Sequence, residues 1–517
     1  MPLVENSLAS AVGSAVRNVT FQTAASVLPR KILLIGTFDP LKTGVVAEVP
    51  VLITNAADAG DKFGFGFMAH RLALAAEKGA KGVPTWIQPQ AETGTASAGD
   101  LDWAGTTGVV AGTLSVYIGG ERIPVVVTTA MTIEALSDAV VAAINARQDL
   151  PVTAAKRVTT FETDITAKSK GLEGDNIDIS LNLGVGEASP VGITAAITAM
   201  TGGAGTPDIQ DALDGLGVGD NANEAFFTDM AHGYGQDDTT LDIIETYVGA
   251  GNAFVGLYSK TVARPFRSLV ADVAAGSGGL AALIVISDAR LNDRSQGVVA
   301  VPGSQTHPSD ISAQAVGHMA RINNRRAEEA FNNITLIGVQ PGTTSDRWTS
   351  SFDSRDTAVK AGISPTLVEG GSVKLQNVVS FYRPASVPVT SNGYREMVNI
   401  SKLQNILNSQ KVNFQREKWQ NVSIVTDASK VTNLTSRQKA RDVNAVLDDL
   451  IQLVTSWEGL AWIADAGFTI GRLKAGGLVV VRGGGDGFTI TIPIILSGIG
   501  NIIDVTTEFD ISFASLS

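Results

Sequence analysis

The strongest constraint on this chain is an α/β pattern that stops and later resumes. Ile32-Leu33-Leu34-Ile35 is an uninterrupted apolar run ending at Gly36, and such a run predicts a strand covered on both faces, as in a parallel sheet. Phe65, Met68, Leu72 and Ala75 follow at helical spacing, and VPTWIQ then reads as another strand. The pattern stops near 92 and resumes from Asp208. There AALIVISD and ITLIGVQ are expected to be buried strands, with ISAQAVGHMARINNRRAEEA as the helix between them. One α/β domain with a second domain inserted at a loop tip is the simplest arrangement.

The interruption has its own character. ETGTASAGDLDWAGTTG turns to Gly, Ala, Ser and Thr, as expected of a boundary. Beyond it Leu114, Val116 and Ile118 alternate, Gly119-Gly120 offers a two-residue turn, and IPVVVTT returns as the partner strand. A helix carrying Leu136, Val140 and Ile144 on one face follows, with Glu134 near its N-terminus. Ile177, Ile179, Leu181 and Leu183 alternate again before MTGGAGTPD, which is expected to be a flexible closing linker. Residues 93–203 therefore read as a separate β-rich domain, flanked by 26–92 and 204–372 as the two halves of the α/β domain.

The last section is expected to begin near SVKLQNVVSFYRP and to form an α+β domain over 373–501. A helix from about Ser436 carries Val443, Val446, Leu447, Leu450, Ile451, Val454 and Trp457 on one stripe, with Arg437, Lys439, Arg441, Asp448 and Asp449 off it. A hairpin is expected around Gly483 to Gly487. From Val505 to Phe513 apolar or Thr side chains occupy every second position: Val505, Thr507, Phe509, Ile511 and Phe513. Nine extended residues reach about 30 Å. Such a strand must join a sheet, either its own chain's or another's.

Composition narrows the function. Apolar residues make up 44% of the 517 and charged ones 17%, which is globular and not disordered. With no Cys there is neither a disulfide nor a thiolate metal site, as suits a reducing cytoplasm. The net charge of −12 argues against a nucleic-acid backbone as partner. Arg321, Arg325 and Arg326 cluster, but Glu328 and Glu329 follow at once, so the patch reads as a solvated helix face with ion pairs. Neither a signal peptide nor an apolar run of about 18 residues stands out, and the chain is expected to be soluble when made, with no membrane insertion.

Motifs for chemistry are weak. GGGDG lacks the Lys and Ser or Thr of a phosphate-binding loop and reads as a hairpin turn. His70, His232, His307 and His318 have no metal-ligand spacing, and DLDWAG places Ala104 and Ala111 where a calcium loop needs oxygen ligands. A Ser, His and Asp triad can converge from anywhere in a sequence, yet there is no GxSxG elbow. No cofactor, no metal and no catalytic residue is expected.

The stretch FNNITLIGVQPGTTSDRWTSSFDSRDTAVKAGISPTLVEGGSVKLQNVVSFYRP resembles the signature region of bacteriophage contractile-tail sheath proteins. Asp346-Arg347-Trp348-Thr349, Ala361-Gly362-Ile363-Ser364 and Phe381-Tyr382-Arg383 stand where that family has its "D.(F/W)T" segment, its "AGIS" helix end and its "YR" strand. QDLPVTA, TAKSKGLEGDNIDI and GGAGTPDIQDAL are similar to the Mu-like branch. The resemblance implies a subtilisin-like but non-enzymatic central domain, and a virion protein assembled in the bacterial host cytoplasm. It implies polymerisation with itself as stacked hexameric rings around an inner tail tube. Its other implied partners are the tube protein and the baseplate and tail-terminator proteins. It also implies strand exchange between subunits through an N-terminal arm (1–25, with Val19 and Phe21 carried over by position) and a C-terminal strand arm (502–517, with Val505, Thr507, Phe509, Ile511 and Phe513). Arg437, Lys439, Arg441, Asp448 and Asp449 would face the tube. A subtilisin-like hydrolase and a monomeric adhesin or binding module are the alternatives.

Overall fold

The computed structural model describes residues 25–105, 108–216, 227–248, 267–386, 393–475, 481–482, 488–489 and 491–498. Two compact units result, Leu28–Gln404 in the larger and Asn405–Gly498 with the residues up to Val27 in the smaller.

In the larger unit the chain forms β1 (Ile32–Thr37), β2 (Val51–Ile53), helices α1 (Ala56–Phe63) and α2 (Met68–Gly79), and β3 (Thr85–Gln90). It then builds β4 (Ala96–Ala104), β5 (Gly112–Ile118), β6 (Glu121–Val127), α3 (Ile133–Ala146), β7 (Val152–Lys156), β8 (Thr163–Lys170), β9 (Ile179–Leu181) and β10 (Thr194–Thr201). After α4 (Ile209–Asp214) come β11 (Asp229–His232), α5 (Asp238–Val248), β12 (Arg267–Asp272), α6 (Gly276–Asp288), β13 (Gln296–Ala300) and α7 (Pro308–Arg325). β14 (Ile334–Thr335), α8 (Phe352–Lys360), β15 (Ile363–Glu369) and β16 (Ser372–Leu375) complete the pattern, and α9 (Met397–Phe414) follows, its residues from Asn405 onward counting with the smaller unit.

Nine strands share one sheet in the order β14-β16-β15-β13-β12-β11-β1-β3-β2. From β3 through β1, β11, β12 and β13 to β15 the neighbours are parallel; β2, β16 and β14 run antiparallel at the edges. Every residue of β1 is buried, as its unbroken apolar run requires when helices cover both faces. Among the described residues β4 to β10 pair only among themselves, as the four-stranded sheet β10-β4-β8-β7 and the three-stranded sheet β6-β5-β9, around a separate core that includes Leu101, Trp103, Val140 and Ile165.

The connections into and out of these sheets lie side by side. Thr95 bridges Ala204, and a Cβ on Gly94 (φ 77) would collide with the Ala204 carbonyl. MTGGAGTPD is therefore ordered strand and bridge at its start, and ETGTASAGDLDWAGTTG is largely β4. The boundary expected at ETGTASAGDLDWAGTTG and the flexible linker expected at MTGGAGTPD are both corrected, because small residues also suit tightly packed strands. Gly119 and Gly120 (φ 58 and 81) form the expected turn between β5 and β6, a conformation that favours Gly.

Small residues also bring helices together. Gly79 of α2 lies against the backbone of Gln314 and His318, and Gly317 of α7 against Ala76, so that a Cβ at either would clash. This close packing accounts for part of the chain's high Gly and Ala content.

Three further expectations are corrected. AALIVISD is helical (α6) and not a buried strand. Its apolar residues lie all round, so period could not decide between helix and strand; Gly279, Leu283 and Ser287 face inward while Val285 is 69% exposed. The strands beside it are β12 and β13. ITLIGVQ is strand only at Ile334–Thr335. Finally, residues 373–404 belong to the larger unit, because Val373, Leu375, Val378 and Met397 sit in the core of the nine-stranded sheet.

The smaller unit contains β17 (Ser423–Ile424), α10 (Leu434–Lys439), β18 (Ala440–Arg441), α11 (Val443–Gly459), α12 (Ala466–Lys474), β19 (Val481–Arg482) and β20 (Phe488–Thr489). β19 and β20 are antiparallel, as the hairpin reading requires. The expected single helix from Ser436 is two: Ala440–Arg441 pairs with Ser423–Ile424, and Asp442 restarts the helix by accepting a hydrogen bond from Ala445 N (2.9 Å). An Asp with extended backbone favours an N-cap over a helix interior.

Candidate functional site

In a doubly wound sheet the ligand crevice lies at the carboxyl ends of the strands where the winding direction reverses. Here β1 has β3 on one side and β11 on the other, so the reversal lies between β1 and β11. The nearby helix N-terminus belongs to α2. Its Met68 N–H is the kind of donor that binds anions in nucleotide-binding folds, and here it donates to Ser169 Oγ (3.0 Å) from β8.

More of the inserted region lies against this end of the sheet. Lys168 Nζ donates to Phe65 O (3.2 Å) and Gln148 O (2.7 Å). The ring of His307, the N-cap of α7, has Nδ1 accepting from Ser309 N (3.2 Å) and Nε2 at 2.9 Å from Glu173 O. Nε2 therefore carries the proton and the ring is neutral, in keeping with burial lowering its pKa to about 4. Burial also pushes the Glu173 carboxyl up to about 7. Arg71 of α2 pairs with Asp310 of α7 (2.6 Å), tying the two helices at this end. The remaining cavity beside Met68, Glu173 and His307 is about 20 Å³, roughly one water molecule. The reversal point is thus filled by the protein's own inserted region.

The other histidines are also packed. His232 is fully buried, with its pKa lowered to about 4 by burial. His318 is lowered to about 4, by burial first and then by Arg321. His70 Nδ1 accepts from Gly66 N (3.0 Å). Carboxylates of Asp100, Glu162 and Asp164 lie within 4.8 Å of one another. Arg157 pairs with all three, at 3.7 Å from Asp100, 2.5 Å from Asp164 and in contact with Glu162. That cluster already has its cation.

The residues expected to make contacts divide into three groups. Val19, Phe21, Val505, Thr507, Phe509, Ile511 and Phe513 lie outside the described residues. Arg437, Lys439 and Asp448 are exposed. Arg441 and Asp449 are engaged within the chain. Arg441 donates to Lys418 O through Nη2 (2.6 Å), and Asp449, 7% exposed, accepts from Asn413 Nδ2 (3.2 Å), Lys418 Nζ (2.7 Å) and Trp419 Nε1 (2.7 Å). Asp449 thus sits on the buried stripe, a correction to the sequence reading. Its three donors come from a preceding segment that helical spacing does not reveal. Arg325 and Arg326 pair with Glu329 (2.7 and 2.8 Å), as the ion-pair reading of that patch requires.

Over 191 residues the chain is 32% identical to the Mu-like prophage FluMu tail sheath protein of Haemophilus influenzae. This relative is a tail sheath protein. It is of the kind that the sequence motifs resemble. The match spans 36% of this chain and 38% of the sheath relative's own length, and no family model matches the chain. Among solved structures, the sheath tail protein of Desulfitobacterium hafniense aligns over 87% of this chain and 91% of its own, with 13% identity and a TM-score of 0.40. A chain of the anti-feeding prophage baseplate aligns over 97% and 100%, with 11% identity and a TM-score of 0.44. Scores below 0.5 establish no shared fold.

Proposed function

We propose that this chain is the structural subunit of a contractile phage tail sheath. The observation that carries the proposal is the 32% identity to a Mu-like prophage tail sheath protein over 191 residues. Subunits polymerise as stacked hexameric rings around an inner tube and contract by rigid-body rotation into a wider, shorter lattice, driving the tube through the host envelope. The energy comes from new contacts between subunits. The protein is a virion component assembled in the host cytoplasm, and its partners are itself, the tube protein, and the baseplate and terminator proteins.

The central parallel sheet corresponds to the family's subtilisin-like domain, without catalysis; the filling of the reversal point by Ser169, Lys168 and Glu173 supports that reading. Residues 93–203 form the outer decoration. Val505 to Phe513, and the arm near Val19 and Phe21, add strands to neighbouring subunits by β-augmentation. Arg437, Lys439 and Asp448, being exposed, remain the tube-facing candidates.

Negative-stain microscopy of the purified protein beside a truncation ending at Asn501 tests this. Tubes or stacked rings from the full chain, with folded monomers from the truncation, are expected. A full chain that stays monomeric even with tail tubes present would sink the proposal, as would labelling of a single serine by a fluorophosphonate.

A further inference from the structure

The described sheets end in edges of very different kinds. An open edge strand is a template for pairing, and proteins guard theirs with Lys, Pro, short length or covering groups. β6 carries Arg122 and Pro124. β2, β9 and β14 are three residues or fewer. β7 is covered: the Asn145 side chain accepts from Ala154 N (2.9 Å) and donates to Ala154 O (2.8 Å), as a neighbouring strand would.

β10 is the exception among the described strands. It is the terminal strand of its sheet and eight residues long, and Thr194, Ala196, Ile197, Thr198, Ala199 and Thr201 are exposed. No charged residue occurs from Val191 to Pro207, and no Pro occurs within β10. Among the described residues its guard is a register shift between Thr198 and Thr201, which leaves Thr194–Thr198 regular against Ala104–Asp100. Ile197 stands opposite Leu101 and so on the face of the buried core, yet it is 42% exposed. Among the described residues the core stops one strand short of covering it.

We propose that the Thr194–Thr198 edge pairs antiparallel with the same edge of a second copy of this chain. A two-fold axis at Ala196 sets Thr194 against Thr198, and Ala195 against Ile197, in both directions. Each exposed Ile197 then gains cover from the other copy beside a small Ala, and no like charges meet, although each chain carries a net charge of −12. The neutral edge suits a copy of itself better than a charged peptide. A two-fold contact cannot repeat along a polar stack, so it joins free subunits or separate polymers and is independent of the tail sheath reading.

The chain has no cysteine, which allows a direct test in the full-length protein. Ala196→Cys puts two thiols across the axis, within disulfide reach for opposed strand residues. Val126→Cys, exposed on the guarded strand β6, is the control. Mild oxidation followed by a non-reducing gel is expected to give covalent dimer from Ala196→Cys, little from the control, and a loss of dimer when Ile197→Lys is added. Far-ultraviolet circular dichroism checks that each variant is folded. No excess dimer over the control, or dimer that survives Ile197→Lys, overturns the pairing, whether or not tubes are seen by microscopy.

Discussion

Arg267 and Asp229 form an ion pair between the adjacent parallel strands β12 and β11, and each side chain is 1% exposed. Around it, Arg267 Nη1 donates to Ser401 Oγ (2.6 Å) and to Asn323 Oδ1 (3.3 Å), and Arg30 Nη1 donates to Gln404 Oε1 (2.5 Å). Burial, and then the like charge of Arg267, lower the Arg30 pKa to about 9. Asp229 is the carboxylate that faces both guanidiniums. Asp229→Asn is therefore expected to destabilise the protein by about 3–5 kcal/mol, the usual cost of stranding a buried charge. The double change Asp229→Leu with Arg267→Met should cost less than the sum of the two single changes. Denaturant unfolding of wild type, Asp229→Asn, Asp229→Leu, Arg267→Met and the double variant checks both statements, and additive costs would count against the pair.

Stability should vary with pH in two opposed ways. His232 and His307 are held near 4 by burial, against an ordinary 6.5. Between those values the unfolded chain binds protons that the folded chain refuses. Their contribution is complete above 6.5 and is lost as the pH falls towards 4. Glu173, raised by burial from 4.5 to about 7, acts in the other direction. Its contribution is complete below 4.5 and is lost as the pH rises through about 7. His307→Gln should flatten the acid-side decline, and Glu173→Gln the decline between 4.5 and 7. Denaturation midpoints from pH 4 to 8 would read this, and parallel profiles for wild type and variants would contradict it.

In the smaller unit, Asp449→Ala removes the shared acceptor of Asn413, Lys418 and Trp419. The expected loss is about 2–3 kcal/mol, as for hydrogen bonds to a charged group. Asp448→Ala, one residue away and exposed, should cost under about 0.5 kcal/mol. Chemical unfolding of the two variants distinguishes them, and equal losses would mean that Asp449 is not a structural anchor.

Gly94→Ala should fail where most surface Gly→Ala changes are mild. The backbone there is left-handed, and the new methyl would meet the Ala204 carbonyl across the two connections. A loss of about 1–3 kcal/mol is expected, measured as a lower Tm. Gly82→Ala, with a similar φ of 79 but open space around it, isolates the backbone contribution from the clash.

Much of the architecture was legible in the sequence. Ile32 to Ile35, the helical spacing of Met68, Leu72 and Ala75, and the Gly119-Gly120 hairpin are local patterns, and local backbone preferences with burial on one or both faces decided them. The interrupted α/β pattern was legible for the same reason, whereas the resemblance to tail sheath proteins rests on motifs such as Asp346-Arg347-Trp348-Thr349 and Phe381-Tyr382-Arg383. AALIVISD was not, because a segment apolar on every side has no period to read; the packing of Leu283 and Ser287 made it a helix. Nor could spacing reveal that Ser169 and Glu173 reach the N-termini of α2 and α7, that Asp449 collects three donors, or that Asn145 covers β7 while β10 stays open. Those relations join residues far apart in the chain. Side-chain geometry after folding decided them, because a hydrogen bond across the molecule leaves no periodic trace in the sequence.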